Sequence, residues 1–214
     1  MLDEGNRARL VKALLLDAVD AALRIAAPNR VCIVSSDEFA AVLARRRRIN
    51  LFRDSARGLN EAVADALAAA SGEPAVILMP DLPFINGFGL RLWLEKVLAH
   101  QAALPPGQKA AAIAPSASGS GTNALYVSHP KGFATSFGEN SLARHAAYAH
   151  QRGFCLNIAP SPHLAFDLDT PEDFMRLIRT AEKRPLKIAF HTRKWIRETA
   201  PAIVEERKEG KMRA

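Results

Sequence analysis

Gly119-Ser120-Gly121-Thr122-Asn123-Ala124-Leu125 is the stretch from which the fold can be read outward. An apolar run, Ala110 to Ala114, precedes it and ends in Pro115; a second run, Ala124 to Val127, follows it. Residues 116–121 are all Ser, Ala or Gly, so none of them can fill a core. Two glycines permit backbone conformations that other residues avoid and let the chain approach a ligand closely. Peptide N–H groups of such a loop, with Ser and Thr hydroxyls, form a cradle for an anion such as phosphate. A plain surface turn is the competing reading. Either way the pattern is strand, loop, strand, and the other apolar runs decide what kind of sheet.

Those runs alternate with helical patterns. Residues 3–26 carry apolar positions at the helical period and stop at Pro28-Asn29. Val31 to Val34 is a short β-branched strand, and Ser35-Ser36-Asp37-Glu38 caps a helix that runs to about Arg47. Ile49 to Phe52 is a strand, residues 59–70 an alanine-rich helix, and Ala75 to Met79 a buried strand. A helix over residues 88–103 leads to the two strands around the opening loop, and residues 141–152 are helical. Phe154 to Ile158 and Leu164 to Leu168 read as strands, and Thr170-Pro171-Glu172-Asp173 starts a helix with a cap and a proline in its first turn. Short continuous apolar strands between helices imply an α/β fold: three α/β/α layers around a mostly parallel, Rossmann-like sheet. Ligands of such sheets bind beyond the C-terminal ends of the strands. One feature is irregular. The chain opens on a helix of crossover type, as though a first strand were lacking ahead of it.

Composition narrows the function classes. A chain of 214 residues with 49% hydrophobic content supports one sizeable core. There is neither a membrane-length apolar run nor a secretory leader in Met1-Leu2-Asp3-Glu4-Gly5, so a cytoplasmic protein is expected. Cys32 and Cys155 sit in apolar runs and read as buried reduced thiols. The net charge of +7 is concentrated at one end. Residues 179–214 hold 11 Lys/Arg against 5 Asp/Glu, which leaves 18 against 17 in the rest. A neutral main domain (residues 1–178) with a basic, partly helical extension (179–214) is a poor match to a duplex-binding fold. Within the extension, Ile196, Ala200, Ile203 and Val204 are spaced to dock as a helix, and Arg207 to Arg213 read as solvated. Arg45 to Arg48 is a dense cationic helix end, favoured there by the helix dipole.

Several residues at expected strand ends can carry chemistry. Asp81, in Met79-Pro80-Asp81-Leu82-Pro83, follows a strand and is held between prolines. Asp167 and Asp169 flank Leu168; on a strand, alternation would put both on one face. Carboxylates held together repel unless a cation sits between them, and Mg²⁺ suits hard oxygen donors that share it with substrate phosphates. Asp169 or Thr170 also reads as the cap of the helix that starts at Pro171, which leaves Asp167 the freer ligand. Gly138 and Ser141 lie at the start of a helix whose free N–H groups suit an anion, with Ser141 as a simple cap the alternative. His145, a lone helical histidine, reads as surface or core. No Ser–His–Asp set or zinc spacing occurs. Carboxylates for a divalent metal beside anion-binding loops suit phosphoryl or nucleotidyl transfer.

In order and spacing, these motifs resemble the 2-phospho-L-lactate guanylyltransferase family. The matching residues are Met79 to Pro83, Gly121 to Leu125, Phe137-Gly138 with Ser141 and Arg144-His145, and Asp167 to Asp173, together with Ser35-Ser36-Asp37 and Gly58 to Ala62. The likeness spans about residues 7–178. It implies a nucleotide-diphosphosugar transferase fold and an enzyme that joins GMP from GTP to a phosphorylated three-carbon acid. That acid is 2-phospho-L-lactate, phosphoenolpyruvate or 3-phosphoglycerate; pyrophosphate leaves, and the product serves coenzyme F-420 biosynthesis. The resemblance implies that Thr122, Gly138 and Ser141 hold the acid, that Asp81, Asp167 and Asp169 hold Mg²⁺, and that Asn60 lies at the nucleotide site. Asp81 and Asp167 would be the catalytic pair.

The family opens on a strand and a basic Pro-Val-Lys-type loop facing the triphosphate, and the chain shows neither. A start set too far downstream is the favoured explanation, because residues 7–23 still fit the family's first helix; a real loss of part of the GTP site is the other. Two alternatives accompany the main reading. One is nucleotidyl transfer to another acceptor, of molybdopterin- or sugar-phosphate type. The other is a non-catalytic partner subunit. The expected partners are GTP and a small phosphorylated acid, not nucleic acid or membrane, with homo-oligomerisation left open.

Overall fold

The computed structural model describes residues 2–54, 57–70 and 72–199. Helix α1 (Glu4–Ala22) starts at Asp3, whose carboxylate accepts the Asn6 N–H at 2.8 Å. Strand β1 (Cys32–Val34), helix α2 (Glu38–Arg47) and strand β2 (Asn50–Phe52) follow. Asp37 caps α2 by accepting from the N–H groups of Phe39 and Ala40. Arg48, with φ +56°, reverses the chain at its other end. Helix α3 (Leu59–Ala69), strand β3 (Ala75–Leu78) and helix α4 (Gly87–Ala102) lead into strands β4 (Ala110–Pro115) and β5 (Thr122–Val127). Helix α5 (Ser141–Gln151), strand β6 (Cys155–Ile158) and helix α6 (Pro171–Lys183) complete the labelled elements. Residues 190–199 are also helical.

The strands form two sheets. In one, β1 and β2 pair in parallel. In the other, the order is β3-β5-β4-β6. There β4 and β6 run parallel, and β5 runs antiparallel to both β3 and β4. The reversal of β5 follows from its connection, since a loop of six residues is too short for a parallel crossover and closes a hairpin. The reversal has a functional consequence. Thr122, the first residue of β5, lies at the same edge as the C-terminal end of β3, where Met79 N–H donates to Asn123 O at 3.0 Å. β1 and β3 do not pair, which leaves a break between the two sheets. The apolar strand β3 is accordingly half-buried along its length, whereas β5 is buried throughout.

Two expectations fail. Leu164 to Leu168 is not a strand: residues 162–165 turn and 166–169 run without a ladder partner. Its backbone is satisfied otherwise. The buried Asn123 donates from Nδ2 to the carbonyls of Leu164 (2.8 Å) and Ala165 (3.2 Å), and Leu168 N–H donates to Asp81 O. The cysteines are free, but Cys32 is exposed and Cys155 half-buried, because each occupies the first position of a short strand near a sheet margin.

The main core packs α4 against the sheet. Trp93 is 1% exposed, and its indole N–H donates to Ala159 O at 2.9 Å. A second cluster joins Leu10 and Leu14 of α1 to Leu177 and Ile178 of α6 and to Ile188, Trp195 and Ile196. The division expected at 178/179 falls inside α6, and residues 188–196 contribute to a core with α1. Asp17 of α1 accepts from the N–H groups of His191 and Thr192, both at 2.8 Å, and so caps the helix at 190–199. Burial raises the Asp17 pKa, and those two N–H groups hold it down in part. Ile196 docks as expected; Ala200, Ile203, Val204 and Arg207 to Arg213 lie outside the described residues. No helix is long and apolar enough to cross a membrane.

Candidate active site

The carboxylates come first. Asp81 leaves β3 through Pro80, and Leu168 N–H donates to its carbonyl at 3.1 Å. That bond ties the Asp81 loop to the segment carrying Asp167 and Asp169. Burial, then the charges of Asp169 and Asp167, pushes the Asp81 pKa up to about 6. Asp81 Oδ1 is buried and accepts no hydrogen bond. Burial, followed by the charges of Asp169 and Asp173, also raises Asp167. An orphaned carboxylate oxygen among mutually repelling carboxylates fits a hard divalent cation. In their present arrangement, no three His, Cys, Asp or Glu groups among the described residues stand close enough to hold one. Asp169 is exposed and caps nothing. The cap of α6 is Thr170, one of the two residues expected in that role, in a reciprocal box with Asp173.

The opening loop is a closed hairpin turn. Ser116 N–H donates to Gly121 O, Gly121 N–H to Ser116 Oγ, Gly119 N–H to Ser116 O and Ala117 N–H to Ala165 O. Those N–H groups are therefore not available to an anion, contrary to the cradle expected from composition. Gly121 is required for another reason. A Cβ there would stand 2.8 Å from Ser116 Oγ and 3.9 Å from Asp167 Oδ2. The hairpin thus abuts the carboxylate segment.

Thr122 is 4% exposed, and its hydroxyl lies 3.0 Å from Nδ1 of His145, which is fully buried. The other ring nitrogen, Nε2, lies 2.8 Å from Ser136 N. Burial, then the charge of Arg144, lowers the His145 pKa to about 4, although the Ser141 carbonyl also faces the ring and opposes that shift. Ser141 is the first residue of α5 rather than its cap; the N-cap is Asn140, at φ +53°, with no side-chain capping bond. Leu142 N–H donates to Ser120 O at 3.0 Å, which seats α5 against the hairpin. Gly138 has φ +108°, and a Cβ there would lie 3.6 Å from an Arg144 guanidinium nitrogen. Arg144 hydrogen-bonds Glu139 O, so a cation stands at the Gly138 turn.

Asn60 pairs with the loop that precedes Gly138. Its Nδ2 donates to Phe137 O at 3.1 Å and its Oδ1 accepts from Phe137 N–H at 2.7 Å. Through these two bonds the amide orders the loop that presents Gly138. Asn123, Arg144 and His145 carry structure here that sequence reasoning did not assign. The only signal was their position within or beside the motifs already singled out.

One further cavity lies past Phe84. It is an open groove of about 780 Å³ lined by Phe84, His163 and the cations Arg176, Arg179, Lys183 and Lys187, among others. It displays part of the basic charge concentrated at that end of the chain.

A family profile described as "Guanylyl transferase CofC like" matches residues 1–198, nearly the whole described chain. The chain belongs to this family. CofC-like relatives agree over most of their length. The chain is 36% identical over 182 residues to a phosphoenolpyruvate guanylyltransferase of Rubrobacter xylanophilus, covering 83% of each chain. It is 32% identical to a 3-phospho-D-glycerate guanylyltransferase of Phenylobacterium zucineum, covering 84% of this chain and 81% of that one. It is 27% identical to a 2-phospho-L-lactate guanylyltransferase of Methanosphaera stadtmanae, covering 83% and 75%. Among solved structures, a cytidylyltransferase from Leptospira borgpetersenii superposes with a TM-score of 0.52 at 16% identity, covering 84% and 85%. That likeness bears on the fold, which for this CofC-like chain is the α/β nucleotidyltransferase type.

Proposed function

We propose that the protein transfers GMP from GTP to the phosphate of a three-carbon phosphorylated acid and releases pyrophosphate. The observation that supports this reading is the bond between Leu168 N–H and Asp81 O, which ties the Asp81 loop to the segment carrying Asp167 and Asp169, the segment that the hairpin before Thr122 abuts. Relatives named for phosphoenolpyruvate, 3-phospho-D-glycerate and 2-phospho-L-lactate agree with an acceptor of that class.

The chemistry needs little from protein acids and bases. A phosphate monoester has a second pKa near ~6, so the attacking oxygen is already ionised at neutral pH. It bonds to the α-phosphorus of GTP, the α–β bridging bond breaks, and its electron pair leaves on pyrophosphate. No proton has to be removed first. Asp81, Asp167 and Asp169 would hold Mg²⁺. Bound there, the ion supplies charge stabilisation at the α-phosphate and at the leaving oxygen. Thr122, Gly138 and Ser141 would receive the acid, with the Arg144 guanidinium near the Gly138 turn offsetting its charge. Asn60 supports that turn from behind through Phe137.

The test is direct. Protein, GTP and Mg²⁺ are incubated with each of the three acids and pyrophosphate is measured. Release with at least one acid supports the reading; release with none rejects it.

A further inference from the structure

His145 has no role in the transfer as described, yet among the described residues it is the largest fully buried polar side chain. Its surroundings fix its protonation. A backbone N–H can only donate, and Ser136 N–H points at Nε2 from 2.8 Å. Nε2 must therefore present a lone pair. The ring is neutral and its one proton sits on Nδ1. Nδ1 is 3.0 Å from Thr122 Oγ1. Thr122 Oγ1 consequently cannot donate to the ring. It can only accept, and its own proton is directed elsewhere. That hydroxyl makes no second hydrogen bond among the described residues. Ring rotation does not offer an escape, because a flip would break both bonds at once in a site packed edge-on against Phe137, with centroids 4.9 Å apart at 72°.

We infer that His145 is a positioning residue whose Nδ1–H holds the Thr122 hydroxyl as an obligate donor to an oxyanion of the acceptor acid. The inference rests on the reading that Thr122 touches the acid. A free hydroxyl rotates to suit either a donor or an acceptor, whereas this one is committed before the ligand arrives. Commitment removes the rotor entropy from the binding step and rejects a ligand atom that would itself donate. Because the hydroxyl is nearly buried, water competes with the bond only weakly.

The test uses the full chain. His145→Phe removes both polar ring atoms at similar volume. His145→Gln offers a carbonyl oxygen to Ser136 and an amide N–H to Thr122, with the donor and acceptor spaced much as in the ring. Thr122→Val removes the hydroxyl. We expect His145→Phe and Thr122→Val each to raise the KM for the acid about tenfold, the worth of one hydrogen bond to a charged group, with the KM for GTP unchanged. The double variant is expected to be no worse than Thr122→Val alone, and His145→Gln to recover most of the loss. Multiplicative effects, equal losses for both substrates, or a folded His145→Gln no better than Phe would overturn the inference. A ¹⁵N imidazole spectrum, with His145 assigned by its loss in the Gln variant, reads the tautomer independently of activity. Protonation at Nε2 overturns the inference and leaves Thr122 at the acid site. An unchanged acid KM in Thr122→Val overturns the acid-site reading, and the inference with it.

Discussion

Leu168 donates its N–H to the carbonyl oxygen of Asp81 at 3.1 Å, and through that bond two segments distant in sequence present their carboxylates to one space. The arrangement costs folding energy. Asp81 has a pKa raised from 3.8 to about 6, chiefly by burial, so the folded protein prefers it protonated. For a carboxylate raised in the folded state, stability is lost as pH rises from the unfolded value through the folded one, here between about 4 and 6. Asp81→Asn should therefore raise the unfolding temperature in chelator at pH 8, by a gain of about 1–2 kcal/mol, and leave it little changed at pH 4. The same variant should lose turnover. Scanning calorimetry at the two pH values checks the first claim; a fall in stability at pH 8 would contradict it.

Asn123 fixes the other carboxylate segment, with its Nδ2 shared between the Leu164 and Ala165 carbonyls. Asn123→Ala leaves both carbonyls short of a donor. It should cost about 1–3 kcal/mol and raise the Mg²⁺ concentration needed for half-maximal rate more than it raises either substrate's KM. Denaturant melts together with a Mg²⁺ titration measure both.

Gly138, at φ +108°, occupies backbone space that side chains avoid. Gly138→Ala should destabilise by about 1–3 kcal/mol and weaken the acid more than GTP, because relief of the strain at φ +108° displaces the turn. Thermal melts and separate KM values for the two substrates decide it, and an unaltered acid KM in a destabilised protein would count against Gly138 as part of the acid site.

Asp17 anchors the helix at 190–199 through two backbone N–H groups. Asp17→Ala should cost about 1–3 kcal/mol and speed hydrogen exchange over residues 188–196 selectively, whereas Asp17→Asn, which keeps one acceptor, should lie between. Uniform acceleration across the chain would show that the anchor acts globally.

Much of the fold is readable because local signals and tertiary demands agree. Asp37 caps α2, Thr170 and Pro171 open α6, and the apolar runs of β3, β4 and β6 are strands, as their composition says. The misreadings share one cause. The apolar run at 164–168 looks like a strand, but a side chain 41 residues away, Asn123, satisfies its carbonyls, and nothing local records that. Asn60 bonds both the N–H and the carbonyl of Phe137, 77 residues on, a pairing that its own neighbourhood does not announce. The Ser/Gly loop has the composition of an anion cradle, yet the N–H groups of Ser116, Ala117, Gly119 and Gly121 are engaged within the hairpin or by Ala165. Sequence shows which groups can bond; which partner they choose is settled by contacts between distant segments.

The central claim is that the carboxylates joined through Leu168 and Asp81 support guanylyl transfer to a phosphorylated three-carbon acid. Pyrophosphate release from GTP and Mg²⁺, with phosphoenolpyruvate, 2-phospho-L-lactate or 3-phosphoglycerate, compared between the native chain and Asp81→Asn, tests it most directly. The account predicts acid-dependent release from the native chain and none from a folded Asp81→Asn. Equal release from both proteins, or none from the native chain with any of the three acids, would contradict it.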